Sequence, residues 1–330
     1  MIISKTPLRI SFAGGGTDLP SFYRPNGYGA VLSTSIDSYI YVTVKKHSSL
    51  FAEKIRLNYS ESELLSSPNE IKNPIIRECL NFLGIDDRIY ISTVADAPGS
   101  SGLGSSSSFC VGLLNALYKF KGINVSVGRL ADEAAHIEID VLKRPIGKQD
   151  HYAAAFGGMN YLRFHADGTV TVKPVIVPMS RNDALFNGML SFWTGVSRAS
   201  ESVLAEQDHN NPKNNDILLR MRQQAEDLCT LLYQKDFTLE KFGRIIHEGW
   251  LMKRKLASLI TNASIDQAYE LALANGAFGG KISGAGGGGF LSIFGTPDRL
   301  GAISPLMRTQ GLVPYRFNID ASGATVTESD

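Results

Sequence analysis

The sequence predicts a mixed α+β chain in two domains, and three observations carry that expectation. The first half interleaves runs of period two with runs of period 3.6, so strands and helices share one unit. A polar break at 177–183, Val177-Pro-Met-Ser-Arg-Asn-Asp183, then interrupts the pattern. Beyond it come several long helical stretches and a set of strands flanking one further helix. The expected division is 1–182 and 183–330, and 330 residues suffice for two such cores.

Taken in order, Leu8–Phe12, Ala30–Thr34 and Tyr39–Lys46 read as strands. In the last, Ile40, Val42 and Val44 alternate with Tyr39, Tyr41 and Thr43, the period of a half-buried sheet. Helices are expected at 71–83, 105–120 and 126–142, with a strand at Ile89–Val94 between the first two. The 126–142 helix has Ser126 as its cap and Val127, Leu130, Ala131, Ala134, Ile137 and Val141 on one face. Strands return at 158–164 and 169–177. After the break, Leu185–Thr194 reads as a strand, and helices are expected at 198–207, 213–235, 238–258 and 264–275. Strands at 278–283, 289–294 and 313–319 flank a helix at 298–309, and 325–330 is expected to be a loose tail.

A hydrophobic content of 43% with 20% charged residues is ordinary for a soluble globular protein. A net charge of +1 gives no case for a polyanion-binding surface, so no nucleic-acid partner is expected. The start, Met1-Ile-Ile-Ser-Lys-Thr-Pro7, lacks the basic region and apolar core of a signal peptide, and no apolar run approaches the ~18 residues of a membrane span. Three scattered cysteines, Cys79, Cys110 and Cys229, suit a reducing compartment, and no Cys/His spacing resembles a zinc site. A cytoplasmic protein without a membrane partner is the expectation, and assembly into a homo-oligomer is compatible with it.

The stretch Pro98-Gly-Ser-Ser-Gly-Leu-Gly-Ser-Ser-Ser-Ser-Phe-Cys110 links a predicted strand to a predicted helix. Gly99, Gly102 and Gly104 let the backbone turn tightly, and the free N–H groups of a helix start favour an anion there. Ser105–Ser108 add hydroxyls that can cap a helix or ligate a magnesium ion. A serine-capped helix after a glycine linker is the plainer alternative. The Walker phosphate loop is excluded, because Gly104 is followed by Ser105 where that pattern needs a lysine. Positive charge for a phosphate must then come from a metal and from elsewhere in the chain. A literal G-x-G-x-x-G at Gly284–Gly289 runs into Phe290-Leu-Ser-Ile-Phe294, a strand rather than the helix a dinucleotide site requires.

Two more constellations stand out. Thr6-Pro-Leu-Arg-Ile-Ser-Phe-Ala-Gly-Gly-Gly-Thr-Asp18 runs a strand into a glycine turn, and Ala135–Asp150 carries Glu138 on a helix and Asp150 at the start of another. Singly, each reads equally well as a solvated charge, a turn residue or a cap.

Together these pieces resemble the GHMP-type small-molecule kinases, the family of galactokinase, homoserine kinase, mevalonate kinase and phosphomevalonate kinase. Its three motifs are matched in order by Thr6–Asp18, by Pro98–Ser106 and by Lys281-Ile-Ser-Gly-Ala-Gly-Gly-Gly-Gly-Phe-Leu291. Within that family, the stretch from Arg9 to Tyr23, the segment Gly29–Tyr41 and Phe192–Ser200 resemble the bacterial D-glycero-D-manno-heptose 7-phosphate kinases.

The resemblance implies an N-terminal ribosomal-protein-S5-like α/β domain and a C-terminal ferredoxin-like α+β domain, with ATP and Mg2+ as cofactors. It implies ATP-dependent transfer of a phosphoryl group to the anomeric hydroxyl of the heptose phosphate. It places Pro98, Gly99, Gly102, Leu103, Gly104, Ser105, Ser106 and Ser107 around the nucleotide, and Ser106 and Glu138 on the magnesium. Asp150 matches the catalytic aspartate, with Arg9 facing it. A carboxylate that takes a hydroxyl proton contributes roughly 10²–10⁴-fold, and an arginine beside it can steady the transferring phosphoryl. Gly15, Gly16, Thr17 and Asp18 fall where sugar kinases of the family bind substrate hydroxyls. Lys281–Gly289 is expected to pack against the phosphate loop. The chain departs from many relatives in having Ser107-Ser108 in place of alanines. Lys5, Arg24, Lys148 and Arg198 are unassigned candidates for holding a substrate phosphate. A kinase for an unphosphorylated sugar and a non-catalytic sugar and ATP sensor are the competing readings.

Overall fold

The computed structural model describes residues 1–197 and 200–329. Arg198 and the first two positions of the helix expected at 198–207 lie outside the described residues.

The first half is built from β1 (Ile2–Ala13), α1 (Pro20–Tyr23), β2 (Tyr28–Lys46), β3 (Ile55–Asn58), β4 (Ser62–Leu65), α2 (Pro74–Leu83), β5 (Ile89–Ala95), α3 (Ser105–Phe120), α4 (Val127–Ala135), α5 (Gln149–Phe156), β6 (Met159–His165) and β7 (Val170–Pro174). The second half contains α6 (Met179–Asn187), β8 (Met189–Trp193), α7 (Ser200–Asn210), α8 (Asn215–Leu231), α9 (Leu239–Lys253), α10 (Ala263–Ala274), β9 (Gly279–Ile282), β10 (Phe290–Phe294), α11 (Pro297–Thr309), β11 (Val313–Tyr315) and β12 (Thr325–Glu328).

Two sheets organise these elements. The larger runs β12-β1-β2-β5-β3-β4, with β6 also on β2 and β7 on β6; the smaller is β11-β8-β10-β9. Strand β2 is 19 residues long and serves both halves of the large sheet. Tyr28–Thr34 pairs β6, Ile40–Lys46 pairs β5, and β1 runs antiparallel along the other edge. Its register against β1 slips between Pro7 and Leu8, where a proline without an N–H is tolerated.

The expected strands Ala30–Thr34 and Tyr39–Lys46 are therefore one strand. Ser33, Thr34 and Ser35 interrupt the apolar pattern yet are buried, in a strand against which α3, α5 and α8 all pack. The Ser35 hydroxyl is satisfied by donating to the Ala153 carbonyl at 2.7 Å. Four further differences have local causes. Strands β3 and β4 are only four residues each, too short to show a period. Helix α6 begins within the polar break and runs past it, and its buried Leu185 and Phe186 have the apolar character of a strand start. The expected tail is strand β12, pairing Glu328 with Ile2 and Thr325 with Lys5. Finally, α4 passes into a π-helical turn at His136–Val141, which advances fewer degrees per residue and leaves Val141 44% exposed instead of on the buried face.

The two sheets share one core. Phe12 at the end of β1, Phe242 on α9 and Phe294 on β10 meet with ring centroids 5.4 to 6.4 Å apart. The Lys281 ammonium on β9 reaches across the same junction to the Ser11 carbonyl at 2.6 Å. This joint fixes the glycine loops of the two halves against each other. No helix among the described residues is long and apolar enough to cross a membrane.

Candidate active site

Helix α3 is buried along almost its whole length against the large sheet, which aims its N-terminus into a cavity of about 360 Å3. No side chain caps that end, so the first-turn amides at Ser105, Ser106 and Ser107 are left for a ligand. Ser108, by contrast, donates its hydroxyl to the Pro7 carbonyl at 2.9 Å and ties the helix to β1. Of the predicted nucleotide residues, Gly102, Gly104, Ser105, Ser106 and Ser107 line the cavity. Leu103 is in the core, and Pro98 and Gly99 are exposed outside the wall.

The third glycine motif packs directly on this loop. Gly102 (φ +80°) and Gly284 (φ +67°) lie face to face: a Cβ on Gly102 would be 2.5 Å from the Ser283 carbonyl oxygen, and one on Gly284 would be 2.6 Å from the Gly102 Cα. Backbone lies against backbone there, and no side chain fits.

Arg9 and Asp150 are 141 residues apart and in direct contact. The Arg9 Nε donates to Asp150 Oδ1 at 2.6 Å and its Nη2 to Oδ2 at 2.5 Å. Its Nη1 donates to the Gly102 carbonyl at 2.6 Å, and its backbone N–H to the Leu103 carbonyl at 3.0 Å. A single buried arginine on β1 thus joins the carboxylate at the start of α5 to the phosphate loop. The fork geometry is specific to arginine.

Glu138, on the π-helical turn, is fully buried. Its Oε1 accepts from the Ser106 hydroxyl at 2.6 Å and from Arg144 Nη1 at 2.6 Å, and its Oε2 contacts His151 Nε2 at 2.8 Å. Arg144 Nη1 also donates to the Ser106 oxygen at 2.7 Å. Burial alone would raise the Glu138 pKa. The His151 contact, the Ser106 hydroxyl and the Arg144 charge outweigh it and hold the value at about 2, below the ordinary 4.5. A carboxylate depressed in this way favours the fold above pH 4.5, and that contribution is lost as pH falls through about 2. Glu138→Gln is therefore expected to flatten the acid limb of stability between those values, read as the thermal midpoint against pH. An unchanged acid limb would contradict the ionised, buried state.

Gly15, Gly16 and Asp18 form another part of the cavity wall. Asp18 is buried and accepts from the Gly16 amide at 3.0 Å, the Gln149 amide at 3.3 Å and Gln149 Nε2 at 3.0 Å. Its pKa is raised, first by burial and then by the charge of Asp150. Thr17 is structural: its hydroxyl donates to the Gly14 and Ala30 carbonyls and does not reach the cavity.

Among the described residues, Arg144, Lys253 and Lys281 line the cavity as cations, besides Arg9. Lys253, at the end of α9, donates to the Gly284 carbonyl. Burial lowers its pKa, the Arg9 charge adds to this, and Asp18 and Asp150 oppose it, giving about 8. Lys281 is held well below the ordinary lysine range by burial and then by the charges of Lys253 and Arg9. None of Lys5, Arg24 and Lys148 is among the lining residues; Lys5 stacks on the Tyr39 ring and Lys148 donates to the Gly168 carbonyl. Sequence reasoning missed Arg144, His151 and Lys253 as site residues. A lysine at the end of an amphipathic helix reads as solvated, and nothing local marks it otherwise.

The GHMP kinases N terminal domain matches residues 71–158, and the GHMP kinases C terminal domain matches residues 230–304. A D-glycero-alpha-D-manno-heptose 7-phosphate kinase of Campylobacter jejuni subsp. jejuni serotype O:2 is 30% identical, over 94% of this chain and 95% of that one. The chain belongs to the GHMP kinase family. A galactokinase of Pyrococcus furiosus is 25% identical over 87% of each chain. The crystal structure of a D-glycero-D-manno-heptose 1-phosphate kinase from Bacteroides thetaiotaomicron superposes with a TM-score of 0.82 at 25% identity, covering all of both chains. The GHMP kinase fold expected from the motifs is the fold found, and ATP follows as the phosphoryl donor of a kinase in this family.

Proposed function

We propose that the cavity transfers the γ-phosphoryl of ATP to the anomeric hydroxyl of D-glycero-D-manno-heptose 7-phosphate, giving the 1,7-bisphosphate and ADP. The observation that carries the chemistry is the Arg9–Asp150 pair, set in one cavity between the uncapped start of α3 and the Asp18 wall. The similarity to the Campylobacter kinase along nearly the whole chain supports the heptose substrate.

In this reading the triphosphate lies along Gly102–Ser106, held by backbone N–H groups and by the α3 dipole. The sugar lies toward Asp18, with the anomeric hydroxyl beside Asp150. Its oxygen forms the new bond to the γ-phosphorus as the bond to the bridging β–γ oxygen breaks, and its proton passes to the Asp150 carboxylate. Arg9 orients that carboxylate through two hydrogen bonds and places positive charge next to the transferring group. Lys253 and Arg144 supply the further charge that a Walker lysine provides elsewhere.

Ser106 and Glu138 fit a magnesium ion. Their oxygens are 2.6 Å apart, and Glu138 is held ionised. Hard oxygen donors, few in number, are what that ion takes. Arg144 Nη1 touches both oxygens, so the guanidinium has to turn away for a cation to be held. When bound, Mg2+ neutralises charge on the β- and γ-phosphates.

Two measurements bear on this reading. Phosphorus NMR of the product is expected to show a new phosphate on the anomeric carbon with the first phosphate retained; a new phosphate at any other carbon would overturn it. Lys253→Met is expected to raise the thermal midpoint by roughly 2 °C or more, since a buried ammonium whose hydrogen-bond acceptor is a carbonyl, and whose desolvation outweighs the Asp18 and Asp150 charges, gives way to an apolar chain of similar shape. The same variant is expected to weaken turnover. A stabilised variant with full activity would remove Lys253 from the phosphate site.

A further inference from the structure

Three of the residues that line the cavity each carry a buried side-chain atom with no hydrogen-bond partner among the described residues: Ser11 Oγ, Gln149 Oε1 and Gln207 Nε2. Other unpartnered atoms, such as Ser33 Oγ and Trp250 Nε1, do not line it. The three converge on the Gly15-Gly16 turn. Gln207, on α7 and 1% exposed, sets its amide nitrogen 2.0 Å from where a Cβ on Gly16 would stand. Ser11 Oγ, on β1, lies 4.0 Å from the corresponding point on Gly15. Gln149 spends its Nε2 on Asp18 and leaves its Oε1 free. The backbone N–H of Gly16 itself holds Asp18.

A buried polar group without a partner is costly, so a cluster of three at one wall points to a ligand that completes them. Their chemistry selects its class. Asp18 and Gln149 Oε1 accept, Gln207 Nε2 donates, and the Ser11 hydroxyl does either. A polyol matches this set, because each hydroxyl both donates and accepts. A carboxylate or phosphate does not, since Asp18 would repel it.

We propose that Gln207, with Ser11 and Gln149, forms together with Asp18 the surface that reads the ring hydroxyls of the acceptor sugar, Gln207 donating to a hydroxyl that in turn donates to an acceptor of this wall. The assignment rests on the sugar-kinase reading above. It makes α7 part of the specificity determinant. Gly16 is then required not only for its φ of +98° but because any side chain there would displace the Gln207 amide.

The test is a cycle between enzyme and substrate. Gln207→Met keeps length and volume and removes the donor. With D-glycero-D-manno-heptose 7-phosphate it is expected to raise the sugar KM about tenfold, with the KM for ATP and kcat at saturating sugar within about threefold of wild type. Among the 2-, 3- and 4-deoxy forms of the substrate, one is expected to show nearly equal KM for the wild type and for the variant, because its missing hydroxyl is the partner of Gln207. An unchanged sugar KM would overturn the assignment. So would a parallel loss in ATP binding and kcat, which a merely structural residue would give, or a full gap between the enzymes for every deoxy form. If thermal melts show Gln207→Met unfolded, Gln207→Asn, which shortens the reach and keeps the amide, is held to the same split. Turnover of a different sugar by the wild type would overturn the heptose substrate alone, and the same criteria then apply to the deoxy forms of that sugar. Wild-type silence on every sugar would overturn both.

Discussion

Asp150→Asn is expected to lower kcat by about 10²–10⁴-fold while ATP affinity stays within a few-fold of wild type. The substitution keeps the shape of the side chain, and Arg9 retains one acceptor where it now has two, at 2.6 and 2.5 Å. What is lost is the group that, in the proposed mechanism, receives the hydroxyl proton. In the proposed reading the nucleotide is held by other atoms, the first-turn amides of α3, whose helix end has no side-chain cap. Turnover and binding should therefore separate, read as ADP release and as nucleotide titration of the same preparation. Near-normal turnover would remove Asp150 from the chemistry. A matching loss of ATP binding would make it a structural residue of the nucleotide site.

The second large effect is expected at Arg9. Arg9→Lys keeps the charge, but one ammonium cannot span both oxygens of Asp150 and the Gly102 carbonyl together. The carboxylate then loses its fixed orientation, and the loop loses its tie to β1. A fall in kcat of roughly 10²-fold is expected, in the range seen when one preorganised donor is removed from a site. The informative comparison is the double variant. If Arg9 acts through Asp150, Arg9→Lys combined with Asp150→Asn is expected within about threefold of Asp150→Asn alone. Effects that multiply would mean that Arg9 stabilises the phosphoryl group independently of the carboxylate.

The sequence made the backbone parts of this site legible and left most of its side-chain convergence hidden. Glycine loops declare themselves because close backbone approach admits no other residue. The pairing of Gly102 with Gly284 is the physical reason that both motifs are readable at all. Arg9, Asp18, Glu138 and Asp150 were each ambiguous alone and gained meaning only as a set. Their contacts, such as Arg9 to Asp150 and His151 to Glu138, form only after β1, α3, α5 and the π-helical turn have packed. Arg144, Lys253 and Gln207 carried no signal. Each is one polar residue on an ordinary amphipathic or loop stretch, and its burial is decided by elements far along the chain. The same limit explains the fold. Strand β12 is short and polar and is a strand only because β1 offers it an edge. In β2, buried serines and a threonine broke a pattern that assumes one wet face, where both faces are covered.

The measurement that tests the central claim most directly is ADP release by the purified protein with ATP and magnesium, across mannose, galactose, fucose, sedoheptulose 7-phosphate and D-glycero-D-manno-heptose 7-phosphate, with Asp150→Asn as control. Selective turnover of the heptose 7-phosphate, lowered at least about 10²-fold in the variant, is the predicted result. Preferred turnover of an unphosphorylated sugar, or ATP binding with no turnover of any of them, would contradict it.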